Sequence, residues 1–434
     1  MSAFSSSSRY SCDSLPQRNG IKAQRSGSRE ASPESSWHGQ NAVPRALFCV
    51  TYGKSHEQTS CRSEVRSLPY KVMLSGAEPL PRGKNPHYPI LDALRFLLAF
   101  WVTMGHVGVF PLFYWAKEST ALGRTLIHGW SSIVFGTPAV IGFFVISGFC
   151  IHLPFRNGET LVVGRYYLRR YTRILIPLVA SLLVVRYVAE RPIQLLGEDS
   201  ILWHSVLWSL LCEEIYYAAY PVLRQLRNRF GWAVVLSIAF PVGAGAAATH
   251  RYAGDWHLYG PFGTALILLP VWLLGCLLAE QAESLAPVTS SFAIWKWRFL
   301  CWAGSWVCEM LHFKAKISYT HTMLWFGVLC YFWIKNEIAY SRQKSPWGTL
   351  AAAGAWSYSL YLVHQPAIEI LYRFFVPNFG AIANWIAIVT CSLAFSYVFY
   401  LCVERPSHKM ARRVSLTPKS SKLLKDRAYQ SSPV

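Results

Sequence analysis

Charge is what this sequence has least of. Only 15% of its 434 residues are charged, and acidic residues are the scarcer kind, 22 against 42 basic. A soluble chain of this length would carry about 25% charged residues, so an ordinary soluble protein is excluded. The 11 cysteines contain no CxxC pair and no CxxC…CxxC spacing. Most stand inside apolar runs (Cys150, Cys212, Cys276, Cys330, Cys391), where cysteine serves as a small hydrophobe. Neither a disulfide framework nor a metal site is expected. An internal repeat and a second, soluble domain are also missing.

Long apolar runs take their place from residue 90 onward: IVFGTPAVIGFFVISGFCIHL, WAVVLSIAFPVGAGAAA, FGTALILLPVWLLGCLLA, TMLWFGVLCYFWI and NWIAIVTCSLAFSYVFYLC. Crossing a bilayer takes about 20 such residues. The expected fold class is an all-α polytopic membrane protein, with about ten helices near 90–111, 132–153, 174–190, 203–223, 231–249, 261–280, 297–313, 317–334, 349–372 and 380–402. The net charge of +20 would suggest nucleic acid in a soluble protein. Here the basic residues crowd alternate loops: Arg156 to Arg173, Arg224 to Arg229, Lys335 to Lys344, and Arg405 to Arg413. That is the positive-inside pattern; it places both termini in the cytoplasm and argues against a nucleic-acid partner.

The ends differ from the middle. Residues 1–87 are rich in Ser and Arg and carry no periodic apolar face, so a disordered extension is expected. Met73 opens a plausible short lead into the first helix and is the expected natural start. Residues 414–434 read as a basic, flexible cytoplasmic tail, which leaves 88–413 as the transmembrane domain.

Ionisable groups inside apolar helices are costly and mark function. Four stretches carry them. In LDALRFLLAFWVTMGH, Arg95 and His106 are eleven residues apart, about three turns, on one face and about 16 Å apart along the axis. A neutral imidazole at that depth is ready to accept a proton; a core histidine satisfied by a neighbouring helix fits the same pattern. In GFFVISGFCIH, Ser147 and Gly148 permit close helix approach. Arg170 and Arg173 lie one turn apart and can clamp a phosphate through forked hydrogen bonds, or simply serve as juxtamembrane charge. In LWSLLCEEIYYAAYPVL, Ser209, Glu213 and Tyr216 or Tyr217 share a face, and the buried Glu213 needs a partner, for which His106 is a candidate. Glu214 points about 100° away. In WSYSLYLVHQPAI, Ser357, Tyr361 and His364 form a polar stripe that could bind substrate or glue helices together. The closing CVERPSHKMARR could be no more than a stop signal.

Taken in order, these motifs resemble the acyltransferase 3 family of integral membrane O-acyltransferases. Arg95-x10-His106 resembles its first-helix motif, FFVISGF its second-helix signature and Arg170-Tyr-Thr-Arg173 its RxxR. SLLCEEIYY is similar to SLxxExxFY, with Glu213 at the glutamate position and Tyr216 replacing Phe. SYSLYLVHQP and VERP resemble its late motifs. The N-terminal extension departs from the family, and the extracytoplasmic SGNH domain fused to some members is absent.

The resemblance implies transfer of an acyl group, often acetyl, from cytoplasmic acyl-CoA to a hydroxyl on a carbohydrate, lipid-linked or small-molecule acceptor, with His106 essential. It also implies residence in a bacterial cytoplasmic membrane and acyl-CoA as a donor substrate, with no tightly bound cofactor. On this expectation Arg170 and Arg173, helped by Arg95, hold the CoA phosphates. The arm runs along the Arg95–His106 face, and His106, oriented by Glu213, is general base or forms an acyl-histidine. Ser357, Tyr361 and His364 are the expected substrate contacts. The competing class is a secondary transporter in which His106, Glu213 and His364 relay protons; it lacks an obvious repeat and leaves the Arg pair unexplained. Export of already acylated glycans is a third option.

Overall fold

The structure is a computed structural model. It describes residues 86–414 apart from 109, 112–119, 188–192, 194–199, 250–255 and 375–379. The Ser- and Arg-rich extension with Met73 and the tail beyond 414 lie outside the described residues.

The described chain is helical throughout, with no strand. In order come α1 (Pro89–Val107), α2 (Ala121–Ile133), α3 (Thr137–His152), α4 (Val163–Tyr187), α5 (Ile201–His204), α6 (Trp208–Ala248) and α7 (Gly260–Gln281). They are followed by α8 (Ser291–Ala315), α9 (Tyr319–Ser341), α10 (Gly348–Ala353), α11 (Ser357–Phe374), α12 (Ala381–Phe399) and α13 (Arg405–Arg412). Proline opens α1 at its first turn, where its fixed φ suits the helix and no amide is lost. Asp92 lies in the first turn of that helix and His106 in the last, as the helix dipole favours.

All ten expected helical segments are helical, and the differences lie at their ends. The basic residues Arg165, Arg169, Arg170 and Arg173 are not in a loop; they ride on the first turns of α4. The chain stays helical past residue 223 and breaks direction at Gly231, whose φ of 78° suits a residue without Cβ. The segment 349–372 is split by a 3₁₀ turn at Gly354–Trp356. The turn expected near Lys316 is present, with Lys316 in the left-handed region and its amide bonded to the Leu311 carbonyl. Three short helices, α2, α5 and α13, lie wholly or partly outside the expected segments.

Five stretches are long and apolar enough to cross a membrane: Pro89–Val107, Ala121–Phe155, Trp208–Ala248, Gly260–Gln281 and Ala381–Arg412. The remaining helices are too short or too polar to qualify; α4, for example, carries Arg165, Arg169, Arg170, Arg173 and Arg186.

α7 is the hub. It is apolar around its whole circumference and buries Ile267, Leu268, Val271, Trp272 and Leu278 completely, the mark of a helix enclosed on all sides. Its neighbours α3, α6 and α9 approach through glycines. A Cβ on Gly148 of α3 would stand 2.0 Å from the Trp272 carbonyl oxygen, and one on Gly275 would stand 2.0 Å from that of Val145. Gly327 of α9 gives the Val271 side chain its place in the same way. Small residues at such crossings let backbones touch and extend dispersion contact. Around this hub, α1 and α11 pack together, and they carry the two histidines of the site.

Candidate functional site

Two cavities of similar size lie along the α1–α11 pair. The first, about 500 Å³, gathers residues from seven helices and from the turn that follows α12: Arg95, Ser147, Arg170, Arg173, Ser209, Glu213, Tyr217, Ser357, Tyr361, Glu404 and His408 are among those that line it. The three arginines expected to act together therefore do face one space. Each is anchored. Arg95 pairs with Asp92 at 3.6 Å, and Arg170 lies 5.8 Å above the Tyr217 ring, within cation–π range. Arg173 donates from Nε to His408 Nε2 at 2.9 Å. His408 Nε2 is thus an acceptor, so its 3.4 Å approach to Glu404 is proximity rather than a charged pair.

Glu213 ends a chain of hydrogen bonds whose direction is fixed at its start. Trp272 Nε1–H, a donor only, gives to Ser147 Oγ at 3.2 Å. Ser147 meets the Tyr217 hydroxyl at 2.8 Å, and that hydroxyl donates to Glu213 Oε2 at 3.0 Å. Glu213 also feels the charges of Arg95 and Arg170. The expected partnership with His106 is not formed: Glu213 points toward the arginine end, and His106 lines a different cavity. Three turns of α1 separate Arg95 from His106, and Glu213 sits with the former. Glu214 lines neither cavity, and both its carboxyl oxygens are buried without a hydrogen bond among the described residues.

The second cavity, about 480 Å³, is lined by His106, Trp130, Phe135, Trp208, Glu309, Phe313, Tyr361 and Gln365 among others. His106 Nδ1 lies 2.8 Å from the Val102 carbonyl. A carbonyl only accepts, so Nδ1 carries the proton. The buried His364 has Nδ1 within 3.1 Å of both the Leu360 and Tyr361 carbonyls, so its proton is also on Nδ1. Its Nε2 is then a lone pair, 3.3 Å from His106 Nδ1, and shares that proton. What remains is Nε2 of His106, which no described residue hydrogen-bonds, on an exposed side chain that lines the second cavity. Of the three residues on the α11 stripe, Ser357 faces the first cavity and donates to the Gly354 carbonyl at 2.9 Å; His364 buttresses His106.

The third, Tyr361, lines both cavities, as does Val140. Its hydroxyl donates to the Val206 carbonyl, so the 2.7 Å bond with Ser209 has Ser209 as donor. Tyr361 is the shared wall.

Three site residues were given no role by the sequence reading, although one of them, Glu404, stands in the VERP motif. Glu404 is buried and accepts from the Ser359 amide at 3.0 Å and from the Ser359 hydroxyl, tying the end of the chain to the start of α11. It closes a π-helical turn, Tyr400–Glu404, a local widening common at functional sites, and Tyr400 and Glu404 both reach the first cavity. His408 holds Arg173. The signal was a carboxylate at the end of an apolar helix followed four residues later by histidine. Glu309 is buried in the second cavity; its signal was a single acid inside the tryptophan-rich WAGSWVCEMLHF. Among the described residues, no group of three or more His, Cys, Asp or Glu is arranged to hold a metal ion.

No curated protein and no solved structure shows a significant match to the chain. A family profile described as an acyltransferase domain, that of acyltransferase 3, matches residues 88–401, which span every helix from the arginine end of α1 to the π-helical turn. The apolar helices, the two cavities along them and that match agree: the chain belongs to the acyltransferase 3 family and is an integral membrane acyltransferase.

Proposed function

We propose that this chain moves an acyl group, acetyl in the first instance, from acyl-CoA in the arginine-lined cavity to a hydroxyl in the second. The acceptor is a carbohydrate, a lipid-linked sugar or a small molecule. The observation that carries this reading is Nε2 of His106, which no described residue hydrogen-bonds, on a side chain lining a cavity that shares a wall with the one holding three arginines. The positive-inside pattern supports about ten crossings with both termini and the arginine end in the cytoplasm, where acyl-CoA is found, and a bacterial cytoplasmic membrane suits that arrangement.

The chemistry then follows from the positions. Arg170, Arg173 and Arg95 hold donor phosphates, and the acyl end reaches toward Tyr361. The acceptor O–H gives its proton to His106 Nε2 as its oxygen forms a bond to the thioester carbonyl carbon. The C–S bond breaks, and the departing thiolate takes the proton back from His106. His364 Nε2, receiving from His106 Nδ1–H, steadies the positive charge on His106 between the two transfers. Glu213, held by Tyr217 and flanked by Arg95 and Arg170, keeps those guanidiniums in place; Ser357 and Tyr361 line the path of the donor's acyl end.

Purified protein with radiolabelled acetyl-CoA should release CoA only when an acceptor hydroxyl is supplied. Release that ignores the acceptor, or no transfer alongside acceptor uptake, would favour transport. Arg173→Ala is expected to raise the acyl-CoA dissociation constant by about 10–100-fold, since a charge-assisted hydrogen bond contributes about 1.5–3 kcal/mol. Equilibrium binding of labelled acyl-CoA checks this, and unchanged affinity removes Arg173 from the donor site.

A further inference from the structure

Resting on the reading that the second cavity holds the acceptor, we infer that Glu309 selects and orients the acceptor by binding a second hydrogen-bond donor on it, a neighbouring hydroxyl or ammonium.

Glu309 comes from α8, which carries none of the motifs discussed above. The residue is 3% exposed, it lines the cavity with His106, and its Oε2 is buried with no hydrogen-bond partner among the described residues. A carboxyl oxygen in that state costs free energy unless something pairs with it. The described lining offers no basic residue besides His106, whose Nδ1 proton is already taken by the Val102 carbonyl and His364. A donor bound in the cavity would give this carboxyl the partner that the described residues do not.

The reacting hydroxyl cannot fill this role. It has one proton, and that proton must lie on His106 Nε2 for transfer to begin. Glu309 needs a different donor on the same molecule, so an acceptor with one isolated hydroxyl leaves the carboxyl unsatisfied. Trp130, Phe135, Trp208 and Phe313 in the same lining supply apolar surface for the carbon frame between the two polar ends. With Glu309 at one point and His106 at another, the acceptor has one orientation in which the correct hydroxyl is acylated.

Three probes share one eight-carbon chain and one primary hydroxyl: 1-octanol, octane-1,2-diol and 2-aminooctan-1-ol. Each is titrated calorimetrically into the full chain in lipid nanodiscs, without donor. The wild type should bind the diol, the amino alcohol or both about tenfold or more tightly than 1-octanol, as expected when a buried, otherwise unpaired carboxyl gains a hydrogen bond. Which of them is preferred tells hydroxyl from ammonium recognition. Glu309→Leu should erase the preference. Glu309→Gln should keep it for the diol, because the amide oxygen still accepts, and weaken it for the amino alcohol, whose ammonium keeps the hydrogen bond and loses any opposite charge. No preference in the wild type, or one that survives Glu309→Leu, overturns the inference. Acetyl-CoA affinity checks the fold of each variant, and if the leucine variant fails that check the glutamine variant decides.

CoA release with the same probes separates this inference from the reading beneath it. A Glu309-dependent binding preference without any CoA release would sink acyl transfer and leave the binding site standing. CoA release that is equal for all three probes and unchanged in Glu309→Leu would sink the role of Glu309 and leave acyl transfer standing.

Discussion

His106→Ala is expected to lower acyl transfer by about 10²–10⁴-fold, the usual range for a positioned general base, while acyl-CoA affinity stays as in the wild type. The two effects separate because the chain separates them. His106 lines the second cavity and the arginines line the first, so removing the imidazole leaves every proposed donor contact intact. The fold should also survive. His106 is exposed to a cavity, and its protein hydrogen bonds are those to the Val102 carbonyl and His364. Val102 keeps its place within α1, and His364 keeps its two carbonyl partners. Initial rates with labelled acetyl-CoA, alongside a donor titration, make the comparison. Near-normal acylation by the variant would remove His106 as the base. The covalent relay has its own signature: wild-type protein incubated with labelled donor and no acceptor would retain label on His106, and general-base catalysis would leave none.

The second large effect concerns assembly. Gly275→Leu, or Gly148→Leu, is expected to prevent the helices from seating and to leave little folded protein in the membrane. At both positions a Cβ alone would stand 2.0 Å from a carbonyl oxygen of the opposite helix, and this neighbour is main chain, which cannot rotate away. The two contacts are reciprocal, so α3 and α7 cross with each glycine set over the other's backbone. Ordinary overpacking costs about 1–3 kcal/mol; here relief requires moving apart the two helices that carry Phe144, Phe149 and Trp272, all fully buried. Yield of monodisperse protein after mild detergent extraction gives the readout. Wild-type yield and melting temperature from Gly275→Leu would mean that the crossing is looser than drawn. Gly164→Leu provides the contrast, because a Cβ there meets nothing within 4 Å.

These two residues also show how far the sequence could be read. Gly148 was visible as a small residue in GFFVISGF, because close approach needs glycine whatever the partner. That its partner would be the Trp272 carbonyl was not visible, since no local pattern encodes which helix comes alongside. That the chain is helical was legible for a similar reason, apolar runs of that length having few other uses, whereas five stretches are long and apolar enough to cross a membrane. The helix ends were less legible, because arginine is a good helix former and its charge was read as loop. The arginine cavity was legible because Arg170 and Arg173 are one turn apart on one helix. The misassigned pair, Glu213 with His106, failed on depth. Both sit in apolar helices, and nothing in either string says which end of the bundle each occupies. The roles of Glu404 and Glu309 stayed hidden because a lone acid gains meaning only from what it faces, and in both cases that is a different helix.

Tyr361 deserves a physical consequence of its own. Tyr361 and Val140 are common to both cavities, so if each cavity opens to its own side of the bilayer on the proposed orientation, these two side chains are what separates the sides. Where water fills both, much of the thickness across which a lipid membrane holds its voltage is bridged by solvent, and the potential falls over the layer that these side chains make. A field concentrated there acts on any charge that moves through it. The proton that passes to His106 and back, and the negative charge that leaves with the thiolate, would move along that field. The rate of acyl transfer would then depend on the membrane potential, although no ion crosses in the net reaction.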